Sequence, residues 1–217
     1  MDSILVKICG INDLAAARAA VDAGADLIGF MFYPPSPRSV TLEQAARLAD
    51  AVGDRVTKVA VLVDADDATV DAVVGSGAVD MLQLHGAETP ERAATLKIRT
   101  GLPVMKALRV AEPADVTMAA DYDGKVDRIL FDAKPPKGMT GALPGGNGLT
   151  FDWRLLDGVS LTTPWMLSGG LDAGNVAAAI RLTGAVAVDT SSGVEDRPGV
   201  KNPDKIRAFI AAAKGAA

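Results

Sequence analysis

The chain has 217 residues, 49% of them hydrophobic, and carries a formal net charge of −5 with one cysteine and one histidine. That length and apolar share suffice for one domain with a substantial core, expected to span residues 1–217. One cysteine excludes an internal disulfide framework and a cysteine-rich metal site. One histidine argues against a multi-histidine zinc or iron site, so no metal is expected, with only a carboxylate-based magnesium site left open.

The opening MDSILVKICG has an early acidic residue and an apolar stretch too short for a signal peptide. No apolar run approaches the roughly 18 residues of a membrane helix. The expected address is the cytoplasm, away from the membrane. No basic tract with interleaved aromatics is present, which argues against a nucleic-acid partner. A phosphate pocket stays compatible with the acidic balance, because it needs only backbone amides and a few placed arginines.

In chain order, LVKIC (5–9) is the first apolar run, followed by NDLAAARAAVDAGA with Asn12 or Asp13 as a helix cap and Gly24 as its stop. LIGFMF (27–32) precedes TLEQAARLADAVG, capped at Thr41 and closed at Gly53. TKVAVLV (57–63) and MLQLH (81–85) follow, then TPERAATLKIRTG with Pro90 at the first helical position and Gly101 at the stop. PVMKALR (103–109) and RILFDA (128–133) come next, and the connection after the second offers only the short FDWRLL as a helix. WMLSG (165–169) and AVAVDTS (185–191) complete the strands, and a last helix opens at Asn202-Pro203 and stops at Gly215.

Eight near-continuous runs of Val, Ile and Leu, about two dozen residues apart, suit parallel strands covered on both faces. Alternating with helical stretches, they predict an α/β fold, a single (β/α)8 TIM barrel. The rival, an open doubly wound sheet, commonly carries GxGxxG after its first strand, where this chain has CGIND.

Chemistry in such a barrel gathers at the carboxyl ends of the strands, and those ends hold Cys9, His85, Arg109, Asp132, Gly169-Gly170 and Asp189 to Gly193. Cys9 shares a strand face with Lys7; if that face is inward, an ammonium lies beside the thiol and favours the thiolate, against the plainer reading of an inert buried cysteine. Asp132 ends a strand with no clear helix after it, which leaves a catalytic acid and a loop hydrogen bond both open. His85 shares its face with Gln83, in a polar patch or with its ring bonded to backbone. Arg109 is either a site residue or a solvated charge. SGGLDAGNV and DTSSGVE are two glycine turns after the seventh and eighth strands, the place where barrels frequently hold phosphate. Arg38, in the rigid loop YPPSPRSV, offers a fork to a carboxylate or phosphate. The stretch 133–148 is long for a compact domain and has the glycines of a lid or of a disordered segment.

Taken in order, KICG (7–10), YPPSPRSV (33–40), LQLHG (82–86), FDW (151–153), SGGL (168–171) and DTSSGVE (189–195) closely resemble the phosphoribosylanthranilate isomerase family, (β/α)8 enzymes of tryptophan biosynthesis. The resemblance runs from about residue 4 to 213. It implies an Amadori rearrangement of a phosphosugar, with Cys9 as general base and Asp132 as general acid, and no cofactor. It further implies that Arg38 binds the anthranilate carboxylate and that His85 and Asp189 bind substrate. Gly170, Ser191, Ser192 and Gly193 would form the phosphate cradle, with Asn175 a helix cap and the protein a monomer or homodimer. One departure stands out: the family's GGTG before FDW is GGNG here, with Asn147 at the third position, after an extra KPPKGMTGALP in which Lys134 and Lys137 read as solvated charges.

Other readings compete. The histidine-pathway isomerase has an aspartate where this chain has Cys9. Indole-glycerol phosphate synthase uses lysine and glutamate and an added amino-terminal segment. A metal-dependent epimerase needs more histidines. A non-catalytic phosphosugar sensor would keep the glycine turns but has no use for both Cys9 and Asp132.

Overall fold

Eight parallel strands close on themselves: β1 (Leu5–Cys9), β2 (Leu27–Met31), β3 (Thr57–Leu62), β4 (Met81–Leu84), β5 (Val104–Val110), β6 (Arg128–Ala133), β7 (Trp165–Leu167) and β8 (Ala187–Thr190), with β8 paired back to β1. The structure, a computed structural model, describes residues 3–136, 143 and 145–216. The connections carry α1 (Leu14–Asp22), α2 (Leu42–Val52), α3 (Asp67–Gly75), α4 (Pro90–Thr100), α5 (Pro113–Thr117), α6 (Val176–Thr183) and α7 (Pro203–Lys214). Among the described residues between β6 and β7, a single 3-10 turn, Trp153–Leu156, stands where the other connections carry a helix. A short antiparallel hairpin, β9 (Glu195–Arg197) and β10 (Val200–Lys201), lies between β8 and α7. No helix among the described residues is long and apolar enough to cross a membrane.

Local chemistry starts and stops the helices. Asp13, not Asn12, caps α1, its carboxylate accepting the Ala16 N–H at 2.9 Å, while Asn12 donates to the Gly199 carbonyl at 3.0 Å. Thr41 and Gln44 form a reciprocal capping box on α2. Gly101 closes α4 at φ +68°, a left-handed turn that suits glycine, whereas Gly215 ends α7 at an ordinary φ of −79°. β7 ends two residues before its predicted limit because Gly169, at φ +91°, turns the chain out of the strand direction beyond Ser168.

Alternation along the strands sorts the side chains into two cores. One face of each strand, with Val6, Ile8, Ile28, Phe30, Phe131 and Val188, packs against the helices. The other faces the barrel axis, where Leu27, Val59, Met105, Ala107, Leu130, Met166 and Ala187 form a small apolar plug. Above that plug, at the carboxyl ends, the same parity turns Lys7, Cys9, Gln83, Asp132 and Asp189 inward.

One buried ion pair braces the loop after β4. Lys106 faces outward from β5 and donates to Glu88 Oε2 at 2.8 Å and to the Gly86 carbonyl at 2.8 Å, while Glu88 also accepts the N–H groups of Asp64 and Gly86 at 2.9 Å each. Both side chains are buried, so removing one partner strands the other's charge. Lys106→Met is expected to lower unfolding free energy by about 3–5 kcal/mol. Urea unfolding checks this, and a loss within error of zero would show that the pair does not brace the loop.

Candidate active site

Cys9 ends β1, with Lys7 one pleat below it. Lys7 is fully buried and its ammonium donates to Asp189 Oδ1 at 2.7 Å; Ser168 donates to the other carboxylate oxygen at 3.0 Å. A methyl group on Gly29 of β2 would stand 2.9 Å from Cys9 Sγ and 3.4 Å from Lys7 Nζ, so the missing side chain is what lets thiol and ammonium lie together. Burial alone would lower Lys7, but Asp189 and Cys9 outweigh it and hold the ammonium up to about 12. For Cys9 the balance falls the other way. Burial pushes the thiol up, and the Asp189 carboxylate adds to it, against the pull of Lys7 and Lys201. The expected thiolate bias from Lys7 is therefore present but is outweighed in the closed site.

Asp132 approaches from β6. Its Oδ1 accepts the Ala133 N–H at 2.9 Å, and its Oδ2 lies 3.2 Å from His85 Nε2. His85 thus stands beside Asp132, although its Nε2 makes no aligned hydrogen bond among the described residues.

The third wall is built from the turns after β7 and β8. Gly170 sits at φ +63°, where a side chain would run into Thr150 Cγ2 at 2.5 Å. Ser192 and Gly193 open a 3-10 turn, so their N–H groups have no intrahelical acceptor. Gly193 presses on the Leu171 carbonyl, leaving no room for a Cβ. Gly193→Ala is expected to push the two turns apart and to lower kcat/KM by about 10²-fold while the fold persists, a misplacement effect. Steady-state kinetics alongside a thermal melt would show it, and unchanged kcat/KM would mean that the turns need not touch.

Residues 145–148 cover the mouth and leave a cavity of about 30 Å³, room for one or two waters. A Cβ on Gly145 would lie 2.6 Å from His85 Cε1 and 2.8 Å from Asp132 Oδ2. Asn147 braces this cover through two hydrogen bonds with Leu143, at 3.0 and 2.8 Å.

A family model described as N-(5'phosphoribosyl)anthranilate (PRA) isomerase matches residues 6–212. The chain belongs to this isomerase family. An N-(5'-phosphoribosyl)anthranilate isomerase from Parvibaculum lavamentivorans is 58% identical over 214 residues, covering 99% of this chain and 100% of that one. A phosphoribosyl anthranilate isomerase structure from Thermotoga maritima superimposes with a TM-score of 0.85 at 37% identity, over 98% of this chain and 99% of that chain. A phosphoribosyl anthranilate isomerase in complex with reduced 1-(o-carboxyphenylamino)-1-deoxyribulose 5-phosphate gives 0.82 at 35% identity, over 98% and 99%. The enzyme is an isomerase of tryptophan biosynthesis on a TIM barrel.

Cys9, Arg38, His85, Asp132, Gly170, Asp189, Ser191 and Ser192 all line the one cavity. Gly193 stands just behind its wall, where it holds the two turns together. Arg109 faces a neighbouring cleft instead. Asn175 stands at the start of α6 but caps nothing with its side chain; it donates to the Gly170 carbonyl at 2.9 Å and accepts the Asp172 N–H at 2.9 Å, fixing the shape of the turn. Lys134 is not a free loop charge, since it pairs with Asp115 at 2.6 Å. Lys137 lies outside the described residues.

Two buried charges escaped the sequence reading. Arg38 directs Nε and Nη2 onto Glu195 at 2.7 and 2.8 Å, and Lys201 donates to the same carboxylate at 2.8 Å and to the Ser191 carbonyl at 2.8 Å. Burial would raise Glu195, but Arg38 and Lys201 hold its carboxyl below the usual range. The signal was present in EDRPGVK, where Pro198-Gly199 marks a hairpin turn.

Proposed function

We propose that the enzyme converts N-(5-phosphoribosyl)anthranilate to 1-(2-carboxyphenylamino)-1-deoxyribulose 5-phosphate by an Amadori rearrangement, with Asp132 as general acid and Cys9 as general base. The observation that carries this reading is a thiol from β1 and a carboxyl from β6 converging on one cavity walled by two glycine turns. The relative solved with the reduced deoxyribulose phosphate supports the same ligand class.

Asp132 gives its proton to the ribose ring oxygen as the C1–O bond breaks, and the anthranilate nitrogen lone pair forms the C1=N bond. The iminium acidifies the C2–H. The Cys9 thiolate takes that proton, the C–H pair becomes the C1=C2 bond, and the C=N pair returns to nitrogen. The enolamine then tautomerises, C1 gaining a proton and the C2 hydroxyl losing one, to give the ketone. Every step couples a proton transfer to a shift of bonds within the substrate, with no net change of oxidation state, so the scheme calls for no cofactor or metal. The iminium also puts a cation beside the sulfur, joining Lys7 and Lys201, and so favours the thiolate at the step that uses it.

The rest of the cavity divides the substrate. Arg38 offers the outer edge of its guanidinium to the anthranilate carboxylate, since Glu195 occupies the inner edge; its bond of 3.1 Å to the Gly146 carbonyl is released as 145–148 lift. That cover must lift, because about 30 Å³ is far below the roughly 300 Å³ or more of a small-molecule pocket. Phosphate sits on Gly170, Ser191 and Ser192, with Gly193 holding the turns close and Lys201 adding positive charge beneath Ser191. Asp189, held by Lys7, and His85, held by Gln83 beside Asp132, meet the sugar. Residues 1–217 act as one domain, in the cytoplasm, as a monomer or homodimer.

Freshly generated phosphoribosylanthranilate is expected to lose its fluorescence at a rate proportional to enzyme. Decay no faster than the uncatalysed rate, with the reduced product analogue still bound, would make the protein a binder and sink the proposal.

A further inference from the structure

Gln83 is a polar side chain in contact with His85 on the Asp132 side of the cavity. It is fully buried, two residues before His85 on the same inward face of β4. Its amide nitrogen lies 3.0 Å from His85 Nδ1, and His85 Nε2 lies 3.2 Å from Asp132 Oδ2, so the three side chains form one chain of contacts. Two atoms of this chain are buried without a hydrogen-bond partner among the described residues: Gln83 Oε1, and His85 Nε2, which approaches Asp132 Oδ2 without hydrogen-bond alignment. A buried amide oxygen left unpaired in a native site calls for a reason.

The chemistry of the two side chains supplies it. When the amide nitrogen points at Nδ1, that nitrogen accepts, the imidazole proton sits on Nε2, and a small turn of the ring aligns Nε2–H with Asp132 as a carboxylate. A half-turn of the amide presents Oε1 instead. Nδ1 then carries the proton, Oε1 gains its partner as the amide nitrogen gives up its own, and the Nε2 lone pair faces Asp132 as a carboxylic acid. Each amide orientation therefore matches one protonation state of the carboxyl group, and a general acid must pass through both. Asp132 Oδ1 is held by the Ala133 N–H, which leaves Oδ2 as the oxygen in exchange.

We infer that Gln83 is a positioning residue for the isomerisation, its side-chain amide setting the tautomer of His85 and, through it, the proton on Asp132. The inference deepens the proposed function and rests on Asp132 being its acid. Gln83 itself does not touch the substrate-facing oxygen; it acts through His85.

The chain has a single histidine, so its ring nitrogens can be read without assignment. Long-range 1H–15N spectra of protein labelled at histidine report the tautomer directly, whether or not the chain turns over substrate. The wild type is expected to show one fully populated neutral tautomer. Gln83→Leu is expected to show the averaged shifts of a mixture, and Gln83→Glu, which can only accept, to show the proton on Nδ1. In the kinetic arm, Gln83→Leu is expected to lose about tenfold or more in kcat with KM changed by less than about twofold, the scale for losing the partner that orients a functional histidine. Wild-type nitrogen shifts in folded Gln83→Leu, or in Gln83→Glu if the leucine variant does not fold, would overturn the inference. Altered shifts with unchanged kcat would overturn the link to Asp132. Absence of turnover in the wild type itself marks failure of the proposed function, separately from the tautomer result.

Discussion

Cys9→Ser is expected to cut kcat by about 10²–10⁴-fold, the share of a rate that a positioned base supplies, while the reduced product analogue binds as it does to the wild type. The substitution is nearly isosteric, and the gap at Gly29 that admits the larger sulfur admits oxygen without strain. What changes is the proton. A serine hydroxyl beside Lys7 remains protonated at any pH the fold survives, so nothing takes the C2 proton. With substrate deuterated at the ribose C2, the residual reaction should show a large primary isotope effect, because proton removal now limits the rate. Burial raises Cys9, so in the free enzyme the ultraviolet absorbance of the thiolate should grow in only above the ordinary thiol range and should be absent from the serine variant. A serine variant with wild-type turnover would remove Cys9 from the chemistry.

Asp132→Asn is the complementary case. Asparagine keeps the oxygen that accepts the Ala133 N–H and keeps a polar group facing His85, so the fold and the cavity are preserved. It has no acidic proton for the ring oxygen. The expected loss in kcat is again about 10²–10⁴-fold. Here the C2 isotope effect should disappear, since ring opening becomes limiting and the thiolate step follows it quickly. Opposite isotope effects in two variants of similar slowness separate acid from base in a way that the rates alone do not. An Asp132→Asn enzyme with a full isotope effect would move the acid to another residue.

Much of this arrangement was legible in the amino-acid sequence, for definite physical reasons. Barrel strands are covered on both faces, so they read as unbroken apolar runs, and LVKIC and RILFDA became β1 and β6 without adjustment. Caps are local, so Thr41, Pro90 and Gly101 fell where expected. Parity carried the site: Lys7 and Cys9 share a face because residues two apart on a strand do, and a barrel's inward face at its carboxyl end is where chemistry collects. The sixth connection looked weak, and its described residues hold only a 3-10 turn, Trp153–Leu156.

What stayed hidden depends on contacts that sequence proximity does not encode. Arg38 meets Glu195 from 157 positions away, and neither residue type hints that the other will share a buried site. Asn175 looked like a cap because it precedes a helix, yet the turn at Gly170 claims both ends of its amide. The balance at Cys9 was also out of reach. Lys7 was visible as a neighbour, but the degree to which Asp189 neutralises it depends on how β1 and β8 pair, and only the closed barrel supplies that register.

The measurement that bears most directly on the account is turnover of phosphoribosylanthranilate by the wild type, Cys9→Ser and Asp132→Asn, each paired with binding of the reduced product analogue. Rapid wild-type turnover, both variants slowed by about 10²-fold or more, and three matching affinities are the expected result. Turnover that survives either substitution, with binding intact, would contradict the role given to that residue and with it the proposed division of labour across the barrel mouth.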